Sequence, residues 1–137
     1  MRSARWPVWC LAGICLTPAG CGTKLHPVKG RVHFPDGSPL TVGRVVIDPG
    51  KATTGSWGLI RPDGTFTMGT HTTDDGVPAG THRVSIENAM TFPPPGLGGR
   101  PFTPQPLIHG RFTDPQRSGL TFEVPRETVW DIVVEKP

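Results

Sequence analysis

Histidines and carboxylates are the first residues to weigh for chemistry, because they move protons and bind metals. The chain has five histidines, His26, His33, His71, His82 and His109, and they are dispersed with no ligand spacing between them. Only His71 has carboxylates close by, at Asp74 and Asp75, where imidazole and carboxylate oxygen could hold a divalent cation. The blander reading of that stretch is a polar loop in which Asp75 primes the turn at Gly76, and it is the one expected. Residues 50–53, Gly-Lys-Ala-Thr, superficially suggest a phosphate loop. They lack the preceding glycine, and Ala52 stands where serine or threonine must reach magnesium. Neither a G-x-S-x-G elbow nor an H-E-x-x-H pair occurs. The expectation is no catalytic residue, no metal and no cofactor. Two tryptophans remain as platforms on which a sugar could stack. Trp130 shares phase with Ile132 and Val134 and is expected in the core. Trp57 shares phase with Leu59, which also favours the core, but it lies beside a loop and is kept as a candidate partner-binding residue.

Whatever positions these residues must be built from a single domain, since the chain has 137 residues. Gly 18 and Pro 17 make up about a quarter of it, a density that suits short strands joined by turns. The formal charge of +3 includes Arg2 and Arg5; without them 12 of the 14 basic residues face 11 acidic ones, a net of +1. No basic run survives, so no nucleic-acid partner is expected. Arg2 and Arg5 precede an apolar stretch at 6–16 that has the length of a signal-peptide core and is too short to span a bilayer. Residues 18–21, Pro-Ala-Gly-Cys, resemble the lipobox of bacterial lipoproteins, with Pro18 where leucine is usual. Cys10, Cys15 and Cys21 are the three cysteines, all in or beside this leader, so Cys21 has no disulfide partner in the domain. Cys21 is therefore the expected lipidation site and membrane anchor. Ordinary cleavage after Ala19, which would leave the protein secreted, and a retained anchor are the alternatives. The expected organisation is a signal peptide at 1–20, a lipidated tether at 21–27 and a domain at 28–137. The expected address is the cell envelope.

Within the domain, alternation of apolar and polar residues marks strands. In 28–34, Val28, Gly30, Val32 and Phe34 share one face. Gly43, Val45 and Ile47 are in phase within 42–48, and a third strand is expected over 56–61. Phe66 and Met68 face inward from 65–70. A turn cluster at 72–80 leads into 81–86, where His82, Val84 and Ile86 alternate with Thr81, Arg83 and Ser85. His82 is expected at the core or its rim, bonded to backbone. Leu120, Phe122 and Val124 define a strand at 119–124, and Trp130, Ile132 and Val134 one at 128–135. Between them, 89–118 is rich in proline and glycine and is expected to be an irregular insert, dispensable for folding. Its apolar residues, among them Phe92, Phe102 and Phe112, either fold back over the domain or are offered to a partner. Seven short strands point to an all-β fold, a single antiparallel β-sandwich.

These residues carry a resemblance. Val28, Gly30, Val32 and Phe34, the Asp36-Gly37 turn, Pro39-Leu40, the run from Asp63 through Phe66, Gly80-Thr81 with Val84, and Ser118-Gly119-Leu120 are similar to the small envelope lipoproteins of planctomycetes. Those carry a transthyretin-like, or carboxypeptidase regulatory-like, domain. The resemblance covers nearly all of the mature chain. His82 and Phe112 stand where it would place tyrosines. It implies a non-enzymatic accessory or interaction domain, with an unknown envelope protein or glycan as partner. The alternative is a carbohydrate- or peptide-binding module that uses Trp57 or the proline-rich insert.

Overall fold

A computed structural model of the chain describes residues 22–48, 50 and 55–137. Cys21, the leader and the Lys51-Ala52-Thr53 stretch lie outside them. The strands, in chain order, are β1 (Leu25–His26), β2 (Lys29–His33), β3 (Arg44–Ile47), β4 (Trp57–Leu59), β5 (Thr65–Thr67), β6 (Val77–Pro78), β7 (Gly80–Glu87), β8 (Leu120–Val124) and β9 (Val129–Val133). The protein is nearly all β. Three strands form a sheet of order β5-β2-β9 and four form one of order β4-β3-β7-β8. The remaining pair, β1 with β6, is a small ribbon that takes Leu25 and His26 out of the expected tether.

Each of the seven expected strands is present, six of them in a shorter form and the one expected at 81–86 extended to Gly80–Glu87. The expectation of purely antiparallel pairing needs one correction. β2 and β9 run parallel, in register from Lys29 opposite Val129 to His33 opposite Val133. They come from opposite ends of the chain, so the link between them passes through the other sheet and needs no local hairpin.

Inward residues of both sheets meet in one apolar cluster. It includes Val32, Phe66, Trp130 and Ile132 from the three-stranded sheet, and Val45, Val84, Ile86 and Val124 from the four-stranded one. Trp130 is 0% exposed at its centre. Its ring stacks on Phe122 at 4.5 Å and lies tilted against Phe66 at 6.4 Å, and its Nε1–H donates to the Glu127 carbonyl at 2.8 Å. Gly30 makes room for this arrangement, because a Cβ there would come within 2.2 Å of the Trp130 carbonyl oxygen.

The third strand is turned over relative to expectation. Ser56, Gly58 and Ile60 are buried, while Trp57 and Leu59 face solvent. The cause is the join between the sheets. Trp57 and Gly69 exchange two backbone hydrogen bonds of 2.9 Å, which brings β4 against the continuation of β5. A Cβ at Gly58 would lie 2.4 Å from the Thr67 carbonyl oxygen. The Ser56 hydroxyl donates to Thr70 Oγ1 at 2.7 Å, and Thr70 in turn donates to the Gly76 carbonyl. Only small residues fit inward at that corner, so the large ones point out.

The insert is also more structured than expected. Met90 pairs with Pro106, and Leu107 N–H donates to the Ala89 carbonyl, so the loop is closed at its base. Beyond that base, Ile108 and Phe112 are each 1% exposed and belong to the core. A 3-10 turn at Gly110–Thr113 carries Phe112 inward, with His109 Nδ1 accepting from Arg111 N–H at its start. Ser118 ties the end of the segment to β7 through its hydroxyl, which donates to the Val84 carbonyl at 2.5 Å.

Candidate functional site

The outer face of the three-stranded sheet follows from register. Residues that are neighbours across strands share a face, so Thr67, Lys29 and Val129 form one row, and Thr65, Arg31 and Asp131 the next. Arg61, two residues beyond Leu59 and in phase with it, lies along the same face. Its guanidinium donates to Thr67 Oγ1 at 3.1 Å. Together these side chains line an open groove of about 470 Å³.

A second groove, of about 320 Å³, begins where the first ends. It is lined by Trp57, Leu59, Thr73 and Asp74, and it shares Arg61 and Thr67 with the first. Trp57, at 36% exposure, marks its far end, with the Arg44 guanidinium 6.0 Å from the ring centre. Arg44 is held there by an ion pair with Glu87 at 2.6 Å.

Charge is unevenly matched along this surface. Asp131 accepts from His33 Nε2 at 2.8 Å. Lys29, Arg31 and Arg61 have no ion-pair partner among the described residues. Arg31 donates to the Gly37 carbonyl at 3.1 Å, which leaves its charge uncompensated. The face therefore combines an aromatic ring, hydroxyls and unpaired cations, a set suited to binding by stacking and charge-assisted hydrogen bonds.

The aromatic residues singled out in the sequence are not brought together. Phe92 is 71% exposed, just beyond the ladder at the base of the insert, and Phe102 is half-buried. Phe112 is corrected from a candidate contact to a core residue, because the 3-10 turn buries it. Asp75 is a turn organiser: its carboxylate accepts from the backbone N–H of Thr70, His71 and Thr72 at 2.5, 3.0 and 3.1 Å. The Thr70 backbone bond, above all, holds the Asp75 carboxyl below the ordinary carboxylate value. His82 donates through Nε2 to the Pro78 carbonyl at 2.7 Å from a half-buried position, as expected of a rim residue. Lys29, Arg31 and Arg61 went unremarked as binding residues in the sequence. Alternation puts Lys29 and Arg31 on one face, but the register that sets Arg61 beside them is a long-range property.

No family model, curated protein or solved structure matches the chain.

Proposed function

We propose that the protein is a non-catalytic binding module, held at the cell envelope by lipid on Cys21, that takes its ligand on the face carrying Trp57. In this reading the two sheets are the layers of a transthyretin-like sandwich. The sharing of one core between a three- and a four-stranded sheet supports it. The observation that carries the functional reading is the outward Trp57. Placing an indole at the surface leaves apolar area in water, and here it lines a groove together with the polar side chains of Arg61, Thr67, Thr73 and Asp74. A non-catalytic role is supported by the commitments of the titratable groups. His33 is held by Asp131, His82 by a carbonyl and His109 by the 3-10 turn, while Asp75 is filled by three backbone donors.

Arrays of glycans and peptides, probed in parallel with the mature protein and its Trp57→Ala variant, test the reading. Signals lost in the variant are expected. An identical profile for both proteins rejects Trp57 as the contact. Intact mass tests the anchor separately: an acylated chain beginning at Cys21 is expected, and an unmodified chain beginning at Gly20 rules it out.

A further inference from the structure

The two grooves form one path. Both are lined by Arg61 and Thr67, so the surface runs from Trp57, past Arg61, across Lys29 and Arg31 to Val129. Neighbouring strands lie about 4.8 Å apart, so the crossing from β5 to β9 alone covers roughly 10 Å. Three cations, Lys29, Arg31 and Arg61, stand along this path without an ion-pair partner among the described residues, against two carboxylates, Asp131, which His33 engages, and Asp74 beside Trp57. We infer that the ligand is an anionic polysaccharide, a uronate or sulfated glycan, laid along the groove with one ring on Trp57 and its acidic groups on Arg61, Arg31 and Lys29. This rests on the binding-module reading and adds the charge and shape of the ligand.

The chemistry matches each part of the path. An indole face accepts the C–H side of a pyranose ring, and a guanidinium offers a planar fork of donors to carboxylate or sulfate. Arg61 is oriented for this by Thr67. A bilayer would be met by apolar side chains at the summit of a convex face. Here the charges line a recess and the aromatic sits at its end, an arrangement that a chain can follow.

The mature protein in phosphatidylcholine nanodiscs serves for the test, read by calorimetry and by indole fluorescence. Hexagalacturonate is the acidic probe, maltohexaose the neutral one, and nanodiscs containing phosphatidylglycerol the lipid one. Hexagalacturonate is expected to bind at least tenfold tighter than maltohexaose and to weaken as salt is raised. Arg31→Gln and Arg61→Gln are each expected to weaken it about tenfold, the scale of a hydrogen bond to a charged group. Trp57→Ala should remove the fluorescence response, with circular dichroism showing all three variants folded. Equal affinity for both oligosaccharides, lost in Trp57→Ala, overturns the anionic ligand and leaves the binding module standing. A response to phosphatidylglycerol alone overturns the inference and assigns the face to the bilayer. Silence toward all three probes overturns the inference, while the array comparison still judges the module itself.

Discussion

The described residues include two tryptophans with opposite fates, and packing alone separates them. Trp130 has a glycine opposite, Phe122 stacked on its ring and a carbonyl for its N–H, so every part of the side chain is satisfied inside. Removing an aromatic ring from such a site typically costs about 3–5 kcal/mol. Against the roughly 5–15 kcal/mol that a domain holds, Trp130→Ala should lower the urea midpoint sharply or prevent folding. Phe112→Ala should cost a similar amount, although its ring belongs to the segment that reads as an insert. A Phe112→Ala midpoint equal to the parent's would remove that residue from the core. The alternation around Trp130 made its burial legible in the sequence. At Trp57 the same argument failed, since Leu59 in phase with it suggested an inward face. The residues that decide the matter are Gly58 and Thr67: a Cβ at Gly58 would fall 2.4 Å from the Thr67 carbonyl oxygen, a tertiary constraint that no local period contains.

Elements show the same division between local and long-range causes. All seven principal strands can be read from alternation and turn residues, because both are set within a few positions. The parallel pairing of β2 with β9, the ribbon of β1 with β6, and the closure of the insert by Met90 and Pro106 bring together residues far apart in sequence, and no spacing announces them. The insert therefore divides in two. Its outer part, from about Phe92 to Pro104, is mostly exposed, and the ladder at its base is complete without it. Replacing 93–103 with a short Gly-Ser linker should leave the melting temperature nearly unchanged, because loop-closure entropy varies only slowly with length. Extending the replacement through Phe112 should collapse the fold. Equal melting temperatures for the two replacements would show that Ile108 and Phe112 contribute nothing. At the join between sheets, Gly58→Val should destabilise by about 1–3 kcal/mol, the usual cost of forcing extra carbons into a filled space. Chemical denaturation measures it, and an unchanged midpoint would mean that the corner can open without penalty.

Across the whole molecule, one device recurs at three separated turns. Asp36 follows β2 and accepts from Ser38, Asp63 precedes β5 and accepts from Thr65, and Asp75 precedes β6 and accepts from Thr70, His71 and Thr72. In each case the carboxyl titrates below its ordinary value of 3.8. The leading cause is the side-chain hydrogen bond from Ser38 for Asp36 and from Thr65 for Asp63, and the backbone bond from Thr70 for Asp75. A carboxyl whose value is depressed by folding binds its proton more weakly in the native state than in the unfolded one. Its contribution to stability is therefore fully present above 3.8 and is lost as pH falls through the lower native value. All three turns act in the same direction, so unfolding free energy should decline together at all three corners in that acid window. Asp75→Asn should lower stability at neutral pH, since the amide carries no charge and offers one acceptor oxygen to the three N–H groups. The variant should also lose less stability than the parent on acidification. Urea midpoints measured from neutral pH down to strong acid compare the two. Parallel curves, with the same decline in parent and variant, would show that Asp75 adds nothing to the acid sensitivity of the fold.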